Sequence, residues 1–262
     1  MKTTIFLFTI GILLSAQLLS QSSDSILLTE NNTVHFSGKV DEVSVAKAQR
    51  ELGLLSVKLG KNDIIYLVID SPGGSVVDGN QFIDFASALP QKIKPICVFC
   101  ASMGYHMFQS FDERLVMPSS MLMSHRVSIG GLSGQVPGEA NSRLKRIERI
   151  SHEMDVKVAK RIGSTVEAYK ALIYDELWLS GAEAVEVKHA DRLAKFRCSK
   201  GLLTGTKKSS VNTLFGPVDV VMSKCPLISG ILSFSFKRES FRSEAEVLTL
   251  VKKAKRTSIW NF

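Results

Sequence analysis

Ile64-Ile65-Tyr66-Leu67-Val68-Ile69-Asp70-Ser71-Pro72-Gly73-Gly74 is the stretch that decides the fold. Its first six residues are hydrophobic and rich in β-branched side chains, which predicts a buried strand. The two glycines that follow lack a Cβ, so a backbone N–H there can approach an oxyanion closely at a strand-to-helix turn. The stretch therefore predicts a βα unit whose turn can cradle a negatively charged oxygen.

A candidate nucleophile and a candidate base follow about one βα unit later. Ser102 comes after a predicted strand at 95–99 and opens a predicted helix, whose free N–H groups favour developing negative charge. A serine hydroxyl needs an imidazole within hydrogen-bond reach to accept its proton, and a carboxylate to hold the imidazole tautomer. His125, which follows a predicted strand pair at 114–117 and 121–124, is the obvious partner of Ser102.

Each of these residues also has a structural interpretation. Ser102 lacks the preceding glycine of a Gly-x-Ser-x-Gly elbow, so by itself it reads as a small residue at a helix start. His106 lies four residues after Ser102 and is expected to be a core or interface histidine. The remaining histidines, His35, His152 and His189, have no partner motif and are predicted to play no catalytic part.

Together these motifs resemble the ClpP family, the serine peptidases that form the proteolytic subunit of the Clp protease. The resemblance rests on Ser71-Pro72-Gly73-Gly74, Ala101-Ser102-Met103-Gly104 and Ser124-His125, and it extends from about residue 40 to residue 193. It implies that Ser102 is the nucleophile and His125 the base. It also implies that the N–H groups of Gly74 and Met103 form the oxyanion hole.

The resemblance leaves two candidates for the acid of the triad. The family places an acid shortly before an aromatic-Leu-Ser segment, and here Asp175 and Glu176 both precede Leu177-Trp178-Leu179-Ser180. The commonest family spacing gives Glu176, whereas the usual choice of aspartate favours Asp175. We predict Asp175 and keep Glu176 as the alternative.

The hydrophobic pattern predicts an α/β fold. Short β-rich runs alternate with helical periods, which is typical of repeated βαβ units, and the resemblance implies the ClpP/crotonase-like version of that architecture. Apolar residues at helical spacing over 138–162 predict a long helix, which in the family protrudes as a handle that packs subunits into rings. We predict a signal peptide at 1–22, a ClpP-like peptidase domain at 23–195 and a basic extension at 196–262.

The N-terminal segment indicates export. Lys2 precedes an apolar stretch at 5–19, and the small residues Ser20 and Ser22 fit cleavage before Ser23. Fifteen residues are fewer than the roughly 20 that span a bilayer, although an uncleaved signal would act as a membrane anchor. We expect a periplasmic or secreted protein with no obvious ATP-dependent unfoldase as partner, acting on peptides or unfolded protein segments.

The basic charge of the chain belongs to the extension. Residues 196–262 carry 12 Lys plus Arg and 4 Asp plus Glu, a balance of 12 − 4 = +8 that equals the net charge of the whole chain. This segment is predicted to contain a Gly/Ser/Lys-rich link at 200–210, a strand with Leu232, Phe234 and Phe236 on one face, and a final helix from Ser243. The cluster at 252–256 either binds anionic lipid headgroups or an acidic partner, or is simply solvated, and nucleic acid is not expected.

The cysteines and histidines predict no metal site. Cys97 and Cys100 are three apart on a predicted strand and should point to opposite faces, which argues against a bridge between them. A bridge between Cys198 and Cys225 would close the extension. No His/Cys cluster has zinc-ligand spacing and no Gly-rich loop has a phosphate-binding lysine, so we expect neither metal nor cofactor.

These observations favour an exported, oligomeric serine endopeptidase of the ClpP type. Two other classes stay open. One is a catalytically silent oligomeric scaffold that binds membrane or partner proteins through its basic extension. The other is a crotonase-like acyl-CoA enzyme, which would use the glycine turn as its oxyanion hole and would need no serine nucleophile.

Overall fold

The structure is a computed structural model that describes residues 25–129, 135, 138–213 and 216–236. The chain divides into two compact units, with the boundary between Ser199 and Lys200. The first unit contains every residue of the predicted catalytic constellation. Its fold is α/β, as the sequence predicts.

A six-stranded sheet forms the centre of the first unit. The strands of this unit are β1 Ile26–Leu28, β2 Thr33–Ser37, β3 Ile64–Ser71, β4 Lys92–Ala101, β5 Leu115–Ser124, β6 Leu177–Ser180, β7 Arg192–Leu193 and β8 Phe196–Cys198. The order of the central sheet is β2-β3-β4-β5-β6, with β7 also paired to β5, and all neighbours are parallel except β6, which runs antiparallel to β5. A separate parallel pair is formed by β1 and β8.

Six helices connect the described strands of this unit. They are α1 Glu42–Ser56, α2 Val76–Ser87, α3 Met103–Gln109, α4 Gly138–Ile162, α5 Val166–Leu172 and α6 Gly181–Glu186. Local sequence sets their starts: the Ser75 side chain accepts from the Asp78 N–H at α2, and a reciprocal capping box joins Asp41 and Ser44 at α1. The long helix predicted at 138–162 is confirmed as α4.

One face of the sheet forms the core. Ile65, Leu67 and Ile69 on β3 lie on the same face of the sheet, because successive side chains of a strand point to opposite faces. All three are fully buried. Phe82 from α2 and Leu52 from α1 belong to the same cluster. Helices α1 and α2 thus cover this face of the sheet, and the strand ends remain available for a site.

Two sequence predictions within this unit are wrong. The segments at 114–117 and 121–124 are not a strand pair but one strand, β5, because its two ends both pair with β4 across an irregularity in register. Cys97 and Cys100 do not point to opposite faces. They form a disulfide, with Cα atoms 5.8 Å apart.

A bulge in β4 explains that disulfide. The pairing with β3 joins Ile69 to Cys97 and then Asp70 to Phe99, so it skips Val98, and the pairing with β5 skips Val98 as well. One extra residue shifts the alternation of side chains between the two faces of a strand by one position. Cys97 and Cys100 therefore share a face although they are three residues apart. The sequence spacing alone does not reveal such an insertion.

The second unit is built around an antiparallel sheet of three described strands. Its elements are α7 Lys200–Thr204, β9 Thr206–Thr213, β10 Gly216–Ser223 and β11 Ser233–Phe236, in the sheet order β11-β10-β9. The predicted link at 200–210 is therefore wrong. Its polar residues form a strand because β10 pairs along β9 and buries Val218 and Val220, so pairing overrides local propensity.

The predicted final helix and the basic cluster at 252–256 lie outside the described residues, as does the predicted signal peptide. Within the part of the chain that the structure describes, no helix combines the length and the apolar character needed to cross a membrane.

Candidate active site

Ser102 stands at a strained turn between β4 and α3. Its backbone has φ 52° and ψ −119°, a conformation that non-glycine residues rarely adopt. The turn is fixed from both sides, since the Ser102 N–H donates to the Met123 carbonyl and the Ser102 carbonyl accepts from the His106 N–H. Such strain is found where surrounding structure holds a residue in a functional orientation.

His125 lies beside Ser102 because of the register of the sheet. Ala101 at the end of β4 pairs with Met123 near the end of β5, so the residues that follow leave two adjacent parallel strands at the same edge. The distance from His125 Nε2 to Ser102 Oγ is 2.8 Å. This is the hydrogen-bond contact that proton transfer from a serine to an imidazole requires.

The glycine turn is packed against the serine turn. A Cβ placed on Gly73, which has φ +91°, would lie 2.6 Å from the Ala101 carbonyl oxygen and 2.8 Å from the Met103 nitrogen. Only a glycine allows this approach. The position that a Cβ of Gly73 would occupy is therefore next to the backbone nitrogen of Met103.

The N–H of Gly74 faces the same side. Val40 donates to the Gly73 carbonyl and accepts from the Ser75 N–H, at 2.8 Å in each case. These two hydrogen bonds form a parallel bridge between Val40 and Gly74. In such a bridge the N–H of the residue in the middle, here Gly74, is directed to the opposite edge of its strand. That edge of the β3 extension is the one next to β4, where Ser102 lies.

Neither predicted acid contacts His125. Asp175 and Glu176 are both exposed, and the Glu176 carboxylate accepts a 3.1 Å hydrogen bond from Trp178 Nε1. Across the residues that the structure describes, no carboxylate is hydrogen-bonded to His125. The structure thus brings together Ser102, His125 and the glycine turn, but neither predicted acid is hydrogen-bonded to the imidazole.

The register of β5 with β6 still distinguishes the two acids. Met123 pairs with Trp178 and Ser124 with Leu177, so His125 and Glu176 are the two residues that directly adjoin the last pair of this antiparallel ladder. Asp175 lies one residue further along. The positive φ of Glu176, 79°, marks the point where the chain turns into β6.

The other histidines occupy different positions. His106 is only 8 % exposed on α3, and burial together with the charge of His125 lowers its pKa to about 4. A neutral histidine at that depth fits the core role predicted for it. His35 lies on β2, His152 on α4, and His189 is buried after α6.

A buried polar network beneath the site was not predicted from the sequence. It includes Ser124 with Tyr169 and Tyr105 with His189. An ion pair joins the buried Arg114 to the exposed Asp191. The members of the network come from β5, α5, α3 and the loop after α6, so no local pattern reveals them. The one signal of this network in the sequence is Ser124, the hydroxyl residue directly before His125.

The described residues offer no evident metal site: among them, no three His, Cys, Asp or Glu side chains converge as ligands would.

Comparison with known proteins assigns the chain to a family. A family model described as Clp protease matches residues 19–195. The chain is 32 % identical over 171 residues to the ATP-dependent Clp protease proteolytic subunit 3 of Rhodococcus jostii (strain RHA1), which covers 63 % of this chain and 82 % of the relative. It is 30 % identical over 190 residues to the ATP-dependent Clp protease proteolytic subunit 1 of Streptomyces avermitilis, which covers 70 % of this chain and 79 % of the relative. The family model spans more than half of the chain and most of the first unit, and on these grounds the chain belongs to the Clp protease family.

Proposed function

We propose that this protein is a serine endopeptidase that cleaves peptides or unfolded protein segments outside the cytoplasm, through an acyl-enzyme on Ser102. Membership of the Clp protease family supports a protease function in general. The observation that carries the specific proposal is the 2.8 Å contact between His125 Nε2 and Ser102 Oγ. In the first step His125 accepts the serine proton while Oγ attacks the scissile carbonyl, and it then protonates the leaving amine.

The oxyanion of the tetrahedral intermediate is assigned to the N–H groups of Gly74 and Met103. This assignment is supported by the contact between the two turns and by the direction of the Gly74 N–H described above. Donors fixed by the backbone need no reorganisation when charge develops, which is why such a hole stabilises the transition state strongly.

Glu176 is our choice for the acid that orients His125, in preference to Asp175. The β5–β6 register supports it, because that pairing would bring residue 176 opposite His125. The carboxylate must first leave Trp178 Nε1. Since Glu176 is exposed and Trp178 is 42 % exposed, water can replace that hydrogen bond at little net cost.

Glu176→Gln is therefore expected to lower kcat for a small peptide by roughly 10²- to 10⁴-fold with little change in KM, because an amide cannot stabilise the imidazolium. Asp175→Asn, which makes the same chemical change one residue away, should leave kcat within about twofold. Steady-state kinetics of the two variants would reverse our choice if Asp175→Asn were the inactive one.

The scaffold hypothesis is favoured by one observation, namely that no described carboxylate contacts His125. The crotonase-like alternative needs no serine nucleophile, and it does not explain the contact of His125 with Ser102.

An exported peptidase would work where ATP is generally absent. We therefore propose that the protein acts as a homo-oligomer, without an ATP-dependent unfoldase, on peptides and protein segments that are already unfolded.

The test of the proposed function is intact-mass analysis of the purified protein after treatment with a fluorophosphonate. We expect one adduct, which peptide mapping assigns to Ser102, because only an activated serine reacts with such a reagent. The same spectrum should show a chain that begins at Ser23. An oligomer that is folded and yet forms no adduct would favour the scaffold, and an intact residue 1–22 segment would favour the membrane anchor.

A further inference from the structure

A buried pair of hydroxyl groups lies directly behind the proposed base. Ser124 is the last residue of β5 and precedes His125, and its Oγ lies 2.7 Å from the Oη of Tyr169 on α5. Ser124 is 1 % exposed and Tyr169 is fully buried. A hydrogen bond at this depth cannot be exchanged for water, so it fixes the end of β5 to α5.

The same network reaches the helix that starts at Ser102. Tyr105 lies three residues after Ser102, and the distance from its Oη to His189 Nδ1 is 2.7 Å. Tyr105 and Tyr169 are close enough that each shifts the pKa of the other. Gln109, at the end of α3, donates from Nε2 to the His189 carbonyl at 2.7 Å. The elements that carry Ser102 and His125 are thus each hydrogen-bonded to buried groups, and two of those groups are the neighbouring tyrosines.

All of these groups are uncharged near neutral pH. Burial raises the pKa of both tyrosines, and burial together with the charge of Arg114 lowers the pKa of His189 to about 4. The neutral His189 Nδ1 can therefore accept the hydrogen bond from Tyr105. A neutral chain of hydroxyl groups supplies no charge to the site, so its effect on His125 is one of position.

We propose that Tyr169 is a positioning residue, which holds Ser124 and thereby keeps His125 aligned with Ser102. This inference rests on the proposed function and adds to it a residue outside the triad. The physical reason is that a hydrogen bond of 2.8 Å between base and nucleophile tolerates little displacement, and the chain leaves regular strand geometry at His125.

The test compares the purified wild-type protein with Tyr169→Phe, Ser124→Ala and the double variant, at a temperature where all are folded. We expect Tyr169→Phe to lower kcat and the rate of fluorophosphonate acylation about 10- to 100-fold, with KM nearly unchanged. Because the two hydroxyl groups act as a unit, the double variant should be no slower than the slower single variant. The control is Tyr66→Phe on β3, which also removes a tyrosine hydroxyl group but not one of the buried network. This variant should be acylated at the wild-type rate.

The possible results separate this inference from the proposed function. Wild-type protein that is never acylated would overturn both. Wild-type protein that is acylated, with Tyr169→Phe folded and equally fast, would overturn the positioning role alone. Effects of the two single substitutions that multiply in the double variant would also overturn it, because independent contributions would then be acting.

Discussion

Ser102→Ala and His125→Ala are each expected to lower kcat/KM for peptide hydrolysis by about 10⁴-fold or more, and the double variant should be no worse than either one. The reason is that the two side chains perform one step: without Nε2 as acceptor the serine proton has no destination, and without Oγ the imidazole has no nucleophile to activate. Progress curves with a small fluorogenic peptide measure the three variants. Residual hydrolysis should persist, because the backbone N–H groups of Gly74 and Met103 are retained.

The matched control for this experiment is His152→Ala, since His152 is an exposed histidine on α4 without a predicted role. It should keep activity within about twofold of the wild type. Losses for Ser102→Ala and His125→Ala that multiply would mean that the two residues act in separate steps. Full peptidase activity of Ser102→Ala would contradict the serine mechanism.

Gly73→Ala is expected to destabilise the protein by about 4 kcal/mol and to abolish acylation of Ser102. Two effects add up. The positive φ costs about 1 to 2 kcal/mol for a residue with a Cβ, and that Cβ would also overlap the Ala101 carbonyl oxygen and the Met103 nitrogen. Both atoms are backbone, so relief of the overlap must move the Ser102 turn and the Met103 N–H with it.

Gly38→Ala separates these two effects. Gly38 has nearly the same φ, +88°, but a Cβ there meets nothing within 4 Å. It should therefore lose only the 1 to 2 kcal/mol of backbone strain and keep normal acylation. Urea unfolding followed by intact-mass labelling measures both variants. Equal losses of stability would show that φ alone makes Gly73 necessary, and normal labelling of Gly73→Ala would remove the glycine turn from the site.

The fold class and the pair of Ser102 with His125 were predictable because each depends on local pattern. A run of six hydrophobic residues ending in two glycines specifies a buried strand and a tight turn, and apolar residues at helical spacing specified α4 with its bounds at 138 and 162. The order of the motifs along the chain then placed serine and histidine at the ends of neighbouring strands.

Other features depended on pairing between distant segments. The disulfide of Cys97 with Cys100 follows from a bulge that appears only when β4 is aligned with its neighbours, and the strand at β9 forms because β10 supplies a partner. Our choice of Glu176 over Asp175 rests on the β5–β6 register. The sequence left the choice open, because the family spacing favoured Glu176 and the usual residue type favoured Asp175.

The sequence by itself determined that Ser102, His125 and the glycine turn meet on an α/β sheet, because short-range chemistry and hydrophobic periodicity encode strands, turns and helix starts. Only the tertiary structure decided how those residues are held: the 2.8 Å contact of His125 with Ser102, and Tyr169 behind Ser124, 45 residues away along the chain. Contacts of this kind arise when packing brings remote side chains together in a space that excludes water, and no local pattern records that encounter.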